Sequence, residues 1–282
     1  MPYADLHVHT TRSDGSLTLE AVPEVARRDG VELVAVTDHD RVQPFDGPVV
    51  ERDGVTLLHG IELRVGTESG EPSNARRSSP DLGSGGGQRI DLLGYGLEPS
   101  AELETILERI QENRIERGQA IVDCVESRLG IDLDVTVDGG FGRPHIARAI
   151  EAHPDAEYDY QAAFDHLIGS DCPCYVPREV PSFERGHAAL AESCQLVSLA
   201  HPLRYRDPES ALALAADLDA VELRYPYGRE VDSEPVERTI ERHDLLATGG
   251  SDAHDERLGV DGLSRRAYER LDLPTESARS DN

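Results

Sequence analysis

Residues 4–15 read ADLHVHTTRSDG and place two histidines at alternate positions of a short strand pattern. On a strand, His7 and His9 point to the same side, and Asp5 points there too. Asp14 follows in an Asp-Gly pair that is typical of a turn. Two adjacent imidazoles indicate a metal site, but an ordinary half-exposed strand edge gives the same spacing. The rest of the sequence must separate these two interpretations.

Six more apolar runs with strand character follow the first, and segments with helical spacing separate several of them. The seven strand candidates are residues 4–8, 32–37, 55–65, 90–96, 195–200, 218–225 and 244–250. Residues that can cap helices stand before the helical segments, among them Ser182 and Ser233. Strands alternating with helices predict an α/β fold around a largely parallel sheet, either open or closed into a barrel.

Two segments interrupt this alternation. Residues 66–89 are rich in Gly, Ser and Pro and predict a surface loop. Residues 98–180 contain no convincing strand and three helical patterns, a long one from Ser100 to about Arg128 and two shorter ones. We therefore expect a barrel or sheet domain formed by residues 1–97 and 181–282, with residues 98–180 as an inserted small helical domain.

Charge is the most unusual global property of the 282-residue chain. It has 55 acidic residues against 28 arginines, no lysine and a formal net charge of −27. An acidic surface stays hydrated in concentrated salt, so the composition indicates a halophilic host. The missing lysines exclude Schiff-base chemistry and the lysine of phosphate-binding loops. The negative charge also argues against long nucleic acid as a partner.

Two further expectations concern the compartment. No apolar stretch approaches the ~20 residues that cross a bilayer, and no leader pattern opens the chain, so we expect a cytoplasmic protein without membrane contact. The four cysteines are too few and too irregularly spaced for a disulfide framework, and we expect free thiols.

Potential metal ligands lie in or just after every strand candidate, mostly at its end. They are His7, His9, Asp14, Asp38, His39, Asp40, Glu62, Asp91, His201, Glu222, Asp252 and His254. The carboxyl ends of parallel strands meet at one face, where catalytic loops lie, so this placement predicts a multinuclear metal site. Nitrogen and oxygen donors without thiolate favour Mn²⁺, Fe²⁺ or Zn²⁺ and indicate hydrolysis by a metal-activated hydroxide.

Three of these carboxylates have alternative interpretations. Asp38 and Asp40 flank His39 and are equally consistent with partners of a ligand or with turn formation. Glu222 lies within a strand and is equally consistent with an ion pair to an arginine. His59 lies upstream in its strand, where packing is the simpler explanation.

The motifs DLHVHTTRSDG, VTDHD, GIEL, LLGYG, GRPHIARAI, YVP, LAHPLRY and GSDAH, in this order, resemble the PHP (polymerase and histidinol phosphatase) superfamily across nearly the whole chain. The nearest likeness is to its stand-alone phosphoesterases that act on nucleoside 3′,5′-bisphosphates or short oligoribonucleotides. The resemblance implies a distorted (β/α)7 barrel with a helical insertion and a site for two or three divalent ions. The ligands it implies are His7, His9, Asp14, His39, Glu62, Asp91, His201, Asp252 and His254.

One of these positions departs from the family pattern. Related phosphoesterases usually carry histidine three residues before the glycine of LLGYG, and this chain has Asp91 there. A carboxylate adds negative charge and prefers different coordination geometry from an imidazole. The occupancy of a third metal position therefore depends on Asp91.

The resemblance also implies substrate contacts and a reaction. Arg143 and His145 of GRPH, with Arg204 of HPLRY, are the expected phosphate contacts, because arginine grips phosphate with two hydrogen bonds. His201 or His145 would protonate the leaving oxygen. We expect a metal-dependent phosphoesterase acting on a small nucleotide or short oligonucleotide. The alternatives are histidinol phosphatase and a non-catalytic metal-binding PHP module.

Overall fold

The computed structural model describes residues 1–67, 87–139 and 141–275. The loop predicted at residues 66–89 lies mostly outside these ranges. The chain divides into two compact units, whose described residues are 1–67, 87–104 and 181–275 in the first and 105–139 and 141–180 in the second.

The first unit is built on one eight-stranded sheet. Its strands are β1 (Ala4–Val8), β2 (Leu33–Val36), β3 (Val49–Arg52), β4 (Val55–Gly66), β5 (Arg89–Tyr95), β6 (Leu196–Leu199), β7 (Ala220–Arg224) and β8 (Leu246–Gly249). Seven of them correspond to the seven strand candidates in the sequence. The sheet order is β1-β2-β4-β5-β6-β7-β8, and β3 is an additional strand that lies off this path and pairs with β4. The fold is therefore α/β, as predicted.

The strand directions correct the prediction of a largely parallel sheet. The pairs β1–β2, β2–β4, β6–β7 and β7–β8 are parallel, whereas β5 runs antiparallel to both β4 and β6. Reversal of β5 brings the beginning of that strand to the edge where the other strands end. The segment after β8 returns to β1, where His9 N donates to Ala253 O at 2.9 Å and Ala253 N donates to His7 O at 3.2 Å. The sheet is thus curled in the manner of a barrel.

The described residues also form α-helices, and apolar side chains cover the strands of the sheet. The helices are α1 (Val22–Arg28), α2 (Ala101–Leu129), α3 (Arg143–Ala152), α4 (Tyr160–Ala163), α5 (Phe183–Ser193), α6 (Pro208–Leu214), α7 (Glu234–His243) and α8 (Arg265–Tyr268). In β2, Leu33 and Ala35 belong to one hydrophobic cluster, and Val34 and Val36 belong to another. The uninterrupted apolar run of this strand is explained by burial of both of its faces.

The second unit contains most of α2, together with α3 and α4. Its core packs Val125 of α2 against Ile146 and Ile150 of α3. A disulfide joins Cys124 to Cys174, so the expectation that all four cysteines are free thiols was wrong for this pair. Sequence spacing could not reveal the bridge, because only folding brings these two positions together. No described helix is both long and apolar enough to span a membrane.

Candidate metal centre

The first unit gathers the predicted ligands at one edge of its sheet. His7 lies near the end of β1 and His9 directly after it, while Glu62 lies in β4 and forms a parallel bridge with His39. His201, Asp252 and His254 follow β6 and β8. Asp91 is the third residue of β5, and it reaches the same edge because β5 is antiparallel.

Two carboxylates and two imidazoles form the middle of this cluster. Glu62 Oε2 lies 3.3 Å from Nε2 of both His7 and His9. Asp252 Oδ1 lies 3.4 Å from His7 Nε2 and 3.2 Å from His9 Nε2. The rings of the two histidines are side by side, with centroids 5.1 Å apart, which agrees with their predicted common orientation.

A second group of donors lies on one side of this middle. Asp14 Oδ1 is 3.3 Å from His254 Nε2, and Asp14 Oδ2 is 3.7 Å from His39 Nε2. His9 completes the group through Nδ1, which lies 3.9 Å from Asp14 Oδ1. His9 therefore presents a different ring nitrogen to each of the two groups.

A third group lies on the other side. His201 Nε2 is 3.0 Å from Glu62 Oε1 and 3.8 Å from Asp91 Oδ2. Each of the three groups brings ligand atoms to within 4.8 Å of one another. Together they contain all nine side chains that the sequence predicted as ligands, namely His7, His9, Asp14, His39, Glu62, Asp91, His201, Asp252 and His254.

Several donor atoms of this cluster are buried without a hydrogen-bond partner within the described chain. They are His7 Nε2, both ring nitrogens of His9, Glu62 Oε2 and His201 Nδ1. Leaving a buried polar atom unsatisfied costs about 1–3 kcal/mol, so native proteins rarely collect several in one place. Imidazole nitrogens and carboxylate oxygens at this density fit a divalent transition-metal ion, which would satisfy them together.

A second layer of buried carboxylates orients these donors. Glu222 Oε1 lies 3.0 Å from His7 Nδ1, and Glu222 Oε2 accepts a hydrogen bond from His201 N at 2.7 Å. Glu222 thus contacts a histidine, whereas the sequence left it between metal ligation and an arginine pair. Such a carboxylate fixes the tautomer in which the other ring nitrogen is free for a metal.

Asp5 and Asp38 hold the loops around the cluster. Asp5 accepts hydrogen bonds from Ser251 N and Gly259 N, both at 2.8 Å, which ties the segment after β8 to β1. Asp38 accepts from Thr10 N at 2.8 Å and from the Thr10 hydroxyl at 2.7 Å. Asp38 therefore supports the segment that follows His9 through its hydrogen bonds to Thr10.

Electrostatics at the centre favour cations. Burial disfavours a charged ring at His7, but the carboxylates of Glu222 and Glu62 raise its pKa well above the ordinary value. Burial likewise opposes charge on His9, yet Asp252 and Glu62 raise its pKa to about 9. Against the effect of burial, His9 and His7 hold the pKa of Asp252 below its usual range. The carboxylates therefore remain ionised and attract positive charge.

The backbone adopts rare conformations beside this cluster. His201 has φ of 27° and Asp252 has φ of 51°, in the region that non-glycine residues seldom occupy. Such conformations cost about 1–3 kcal/mol each and occur preferentially at functional sites. They place both side chains immediately beyond the ends of β6 and β8.

A cavity of about 460 Å³ opens onto the cluster within the first unit. Its wall includes Arg64, Arg89 and Arg204 together with the acidic and imidazole side chains. Arg204 Nη1 donates to Asp252 Oδ2 and to the Tyr225 hydroxyl, each at 2.8 Å. Arg204, one of the predicted phosphate contacts, thus lies beside the predicted ligands. Arg64 and Arg89 were not predicted as site residues.

The other two predicted phosphate contacts belong to the second unit. The Arg143 guanidinium lies over the rings of Phe164 and Tyr175, at 5.8 and 5.6 Å from their centroids. His145 Nδ1 accepts a hydrogen bond from Gly142 N at 3.1 Å. Both residues therefore stand in the first turn of α3 and are held by contacts inside their own unit.

Comparison with known proteins finds relatives for most of the chain. The family model of the PHP domain matches residues 5–170. The chain is 28% identical over 267 residues to the phosphoribosyl 1,2-cyclic phosphate 1,2-diphosphodiesterase of Eggerthella lenta, covering 89% of this chain and 93% of that protein. It is 26% identical over 272 residues to the 3′,5′-nucleoside bisphosphate phosphatase of Chromobacterium violaceum, covering 90% and 88%. A solved structure of a candidate metal-dependent phosphoesterase from Bifidobacterium adolescentis superposes with a TM-score of 0.69 at 24% identity, covering 95% of this chain and 94% of that one.

Proposed function

The chain belongs to the PHP domain family, and on that premise we propose that it is a metal-dependent phosphoesterase. Its substrate is a phosphomonoester or phosphodiester of a small nucleotide or short oligonucleotide. The observation that carries this proposal is a set of buried nitrogen and oxygen atoms of His7, His9, Glu62 and His201, beside a cavity, that have no hydrogen-bond partner among the described residues. Atoms of this kind bind divalent ions, and the cavity has the size of a small-molecule site.

The cofactors in this proposal are two or three ions of Mn²⁺, Fe²⁺ or Zn²⁺, because the predicted ligand atoms are all nitrogen or oxygen. When bound, such ions lower the pKa of water and neutralise phosphoryl oxygens. Among the predicted ligands, Glu62 and Asp252 contribute most of the negative charge at the middle of the cluster, because each contacts both His7 and His9. Glu222 holds His7 in the orientation that leaves Nε2 free.

Substrate positioning falls to arginine side chains at the cavity. Arg204 is held by Asp252 and Tyr225, so its guanidinium is fixed before a phosphate arrives. Arg143 and His145 are proposed phosphate contacts from the resemblance alone. His201 lines the cavity and is the stronger of the two candidates for protonating the leaving oxygen, with His145 as the alternative.

The substrate class rests on the names of the relatives. One acts on nucleoside 3′,5′-bisphosphates and another on a phosphoribosyl cyclic phosphate, and both substrates combine a ribose with phosphate esters. The net charge of −27 argues against a long nucleic acid as substrate, because it offers no extended basic surface to the phosphates. Residence in the cytoplasm of a halophile remains our proposal, supported by the acidic composition.

A substrate panel tests the proposed function directly. Metal-free protein is supplied with Mn²⁺ in molar KCl and offered a nucleoside 3′,5′-bisphosphate, a short oligoribonucleotide and histidinol phosphate. We expect phosphate or nucleotide release from at least one of the first two and slower release from histidinol phosphate. His9→Ala should abolish release, whereas His243→Ala on the exposed end of α7 is the matched control. Failure of the metal-loaded protein to hydrolyse any of these esters would refute the proposal.

A further inference from the structure

Asp91, the residue that departs from the family pattern, is paired with an arginine on the neighbouring strand. Arg64 of β4 stands directly opposite Asp91 of β5 in the antiparallel register. Its Nε donates to Asp91 Oδ1 at 2.7 Å and its Nη2 donates to Asp91 Oδ2 at 2.8 Å. This two-pronged geometry is the strongest form of arginine–carboxylate contact, and it uses both oxygens of a buried carboxylate.

The backbone on both sides fixes this pair. Arg64 N donates to Asp40 Oδ1 at 3.2 Å, and Asp91 N donates to the Tyr205 hydroxyl oxygen at 2.9 Å. The guanidinium also forms part of the cavity wall. A permanent positive charge is therefore held at the side of the cluster where the group Glu62, Asp91 and His201 would hold a metal ion.

A second contact inside the third group is also made within the protein. His201 Nε2 and Glu62 Oε1 are hydrogen-bonded to each other at 3.0 Å. By contrast, His7 Nε2, both ring nitrogens of His9, Glu62 Oε2 and His201 Nδ1 have no such partner in the described chain. All of these atoms except His201 Nδ1 belong to side chains of the first two groups, where bound ions would satisfy them.

Asp252 provides an internal comparison, since it too contacts an arginine. Arg204 takes only Asp252 Oδ2, and Asp252 Oδ1 stays 3.2–3.4 Å from the imidazoles of His9 and His7. That carboxylate can serve a metal ion and an arginine together. Both oxygens of Asp91 accept from the guanidinium fork, so a divalent ion there would have to share each oxygen with Arg64 and would face a fixed like charge.

We infer that the centre of this protein holds two divalent ions, and that the Arg64 guanidinium takes the place of a third. The arginine uses two of its five N–H groups on Asp91, which leaves three to face an anion in the cavity. The inferred number of ions does not depend on which substrate the protein takes. The further statement that the Arg64 guanidinium stabilises a phosphoryl group rests on the proposed function.

Metal stoichiometry tests this inference without any assay of activity. Metal-free protein is equilibrated with excess Mn²⁺ and passed through a desalting column, and manganese per chain is measured by plasma mass spectrometry. We expect two ions per chain in the wild type. Arg64→Met releases the Asp91 carboxylate and should raise the count to three. Arg89→Met removes another arginine of the same cavity wall but leaves the fork intact, and it should stay at two.

A double variant protects the test from a folding failure. Arg64→Met leaves a buried carboxylate unpaired, whereas Arg64→Met/Asp91→His removes that charge and supplies an imidazole, so it should also bind three ions. Three ions in the wild type, or two in both Arg64 variants when they are folded by circular dichroism, would overturn the inference. Two bound ions without ester hydrolysis would refute the proposed function alone, and hydrolysis with three bound ions would refute this inference alone.

Discussion

Replacement of Glu222 by glutamine isolates the contribution of a residue that lies outside the three ligand groups but contacts two of their members, His7 and His201. Glu222 Oε1 lies 3.0 Å from His7 Nδ1, and its Oε2 accepts from His201 N at 2.7 Å. Glu222→Gln preserves the shape and one carbonyl oxygen. It removes the negative charge that orients and polarises the His7 ring.

The expected loss of metal affinity follows from the role of a carboxylate that holds a metal-binding histidine in place. Loss of a carboxylate behind a metal-binding histidine costs about 10–100-fold in metal affinity, or roughly 1.4–2.8 kcal/mol. The partner is fully buried here, so solvent does not compensate for the lost charge. Because the glutamine retains an acceptor, we expect the lower part of the range, about tenfold.

The assay is a competition titration of metal-free protein against a chromophoric chelator with Zn²⁺ or Mn²⁺. Glu241→Gln, on the exposed side of α7, is the matched control and should leave the dissociation constant unchanged. Urea unfolding without metal separates a loss of affinity from a loss of structure. An affinity within twofold of wild type in folded Glu222→Gln would refute the assignment of Glu222 as a positioning residue.

Three other expectations follow from the structure. Burial lowers the pKa of His59 to about 4, so between pH 6.5 and pH 4 the unfolded chain binds a proton that the folded chain does not. This costs about 2 kcal/mol of stability at pH 5 relative to pH 7. In urea unfolding, His59→Gln should lose correspondingly less stability over this interval, and an identical loss would contradict the burial argument. A Cβ at Gly250 would collide with the backbone N and Cβ of His7, so Gly250→Ala should cost about 1–3 kcal/mol and weaken metal binding. Gly142→Ala, whose added Cβ meets only an ordinary contact 3.6 Å away, should do neither, and equal behaviour of the two variants would contradict the packing. Reduction of the Cys124–Cys174 bridge, which spans 50 residues, should destabilise the protein by up to about 4 kcal/mol. Cys172→Ser, which breaks no bridge, should have little effect in the same unfolding experiment. Free thiols at Cys124 and Cys174 in non-reduced protein would contradict the bridge.

The sequence predicted the composition of the candidate centre better than its geometry. Alternation of His7 and His9 is a local property of a strand, and it anticipated two adjacent rings. Placement of polar residues in or after the strands anticipated that potential ligands would gather, and the family resemblance singled out the nine that form the three groups. Their roles as ligands remain predictions until metal binding is measured.

Features that depend on distant pairing were not predictable from local patterns. The reversal of β5 has no signal in its own residues, since a buried strand has the same composition in either direction. β3 was missed because Val49–Arg52 is short and half polar, and it lies off the main path of the sheet, paired with β4. The Arg64–Asp91 fork depends on the register between β4 and β5, and the partner of Glu222 depends on the approach of β7 to β1 across the curled sheet.

Phosphate release from a nucleoside 3′,5′-bisphosphate, followed as Mn²⁺ is added back to metal-free protein in molar KCl, tests the central claim most directly. The proposed function predicts no release without metal, a rise with added Mn²⁺, and no restored release in Asp252→Asn at any Mn²⁺ concentration. Full activity in the presence of excess chelator, or wild-type activity in Asp252→Asn, would contradict a phosphoesterase built on this centre.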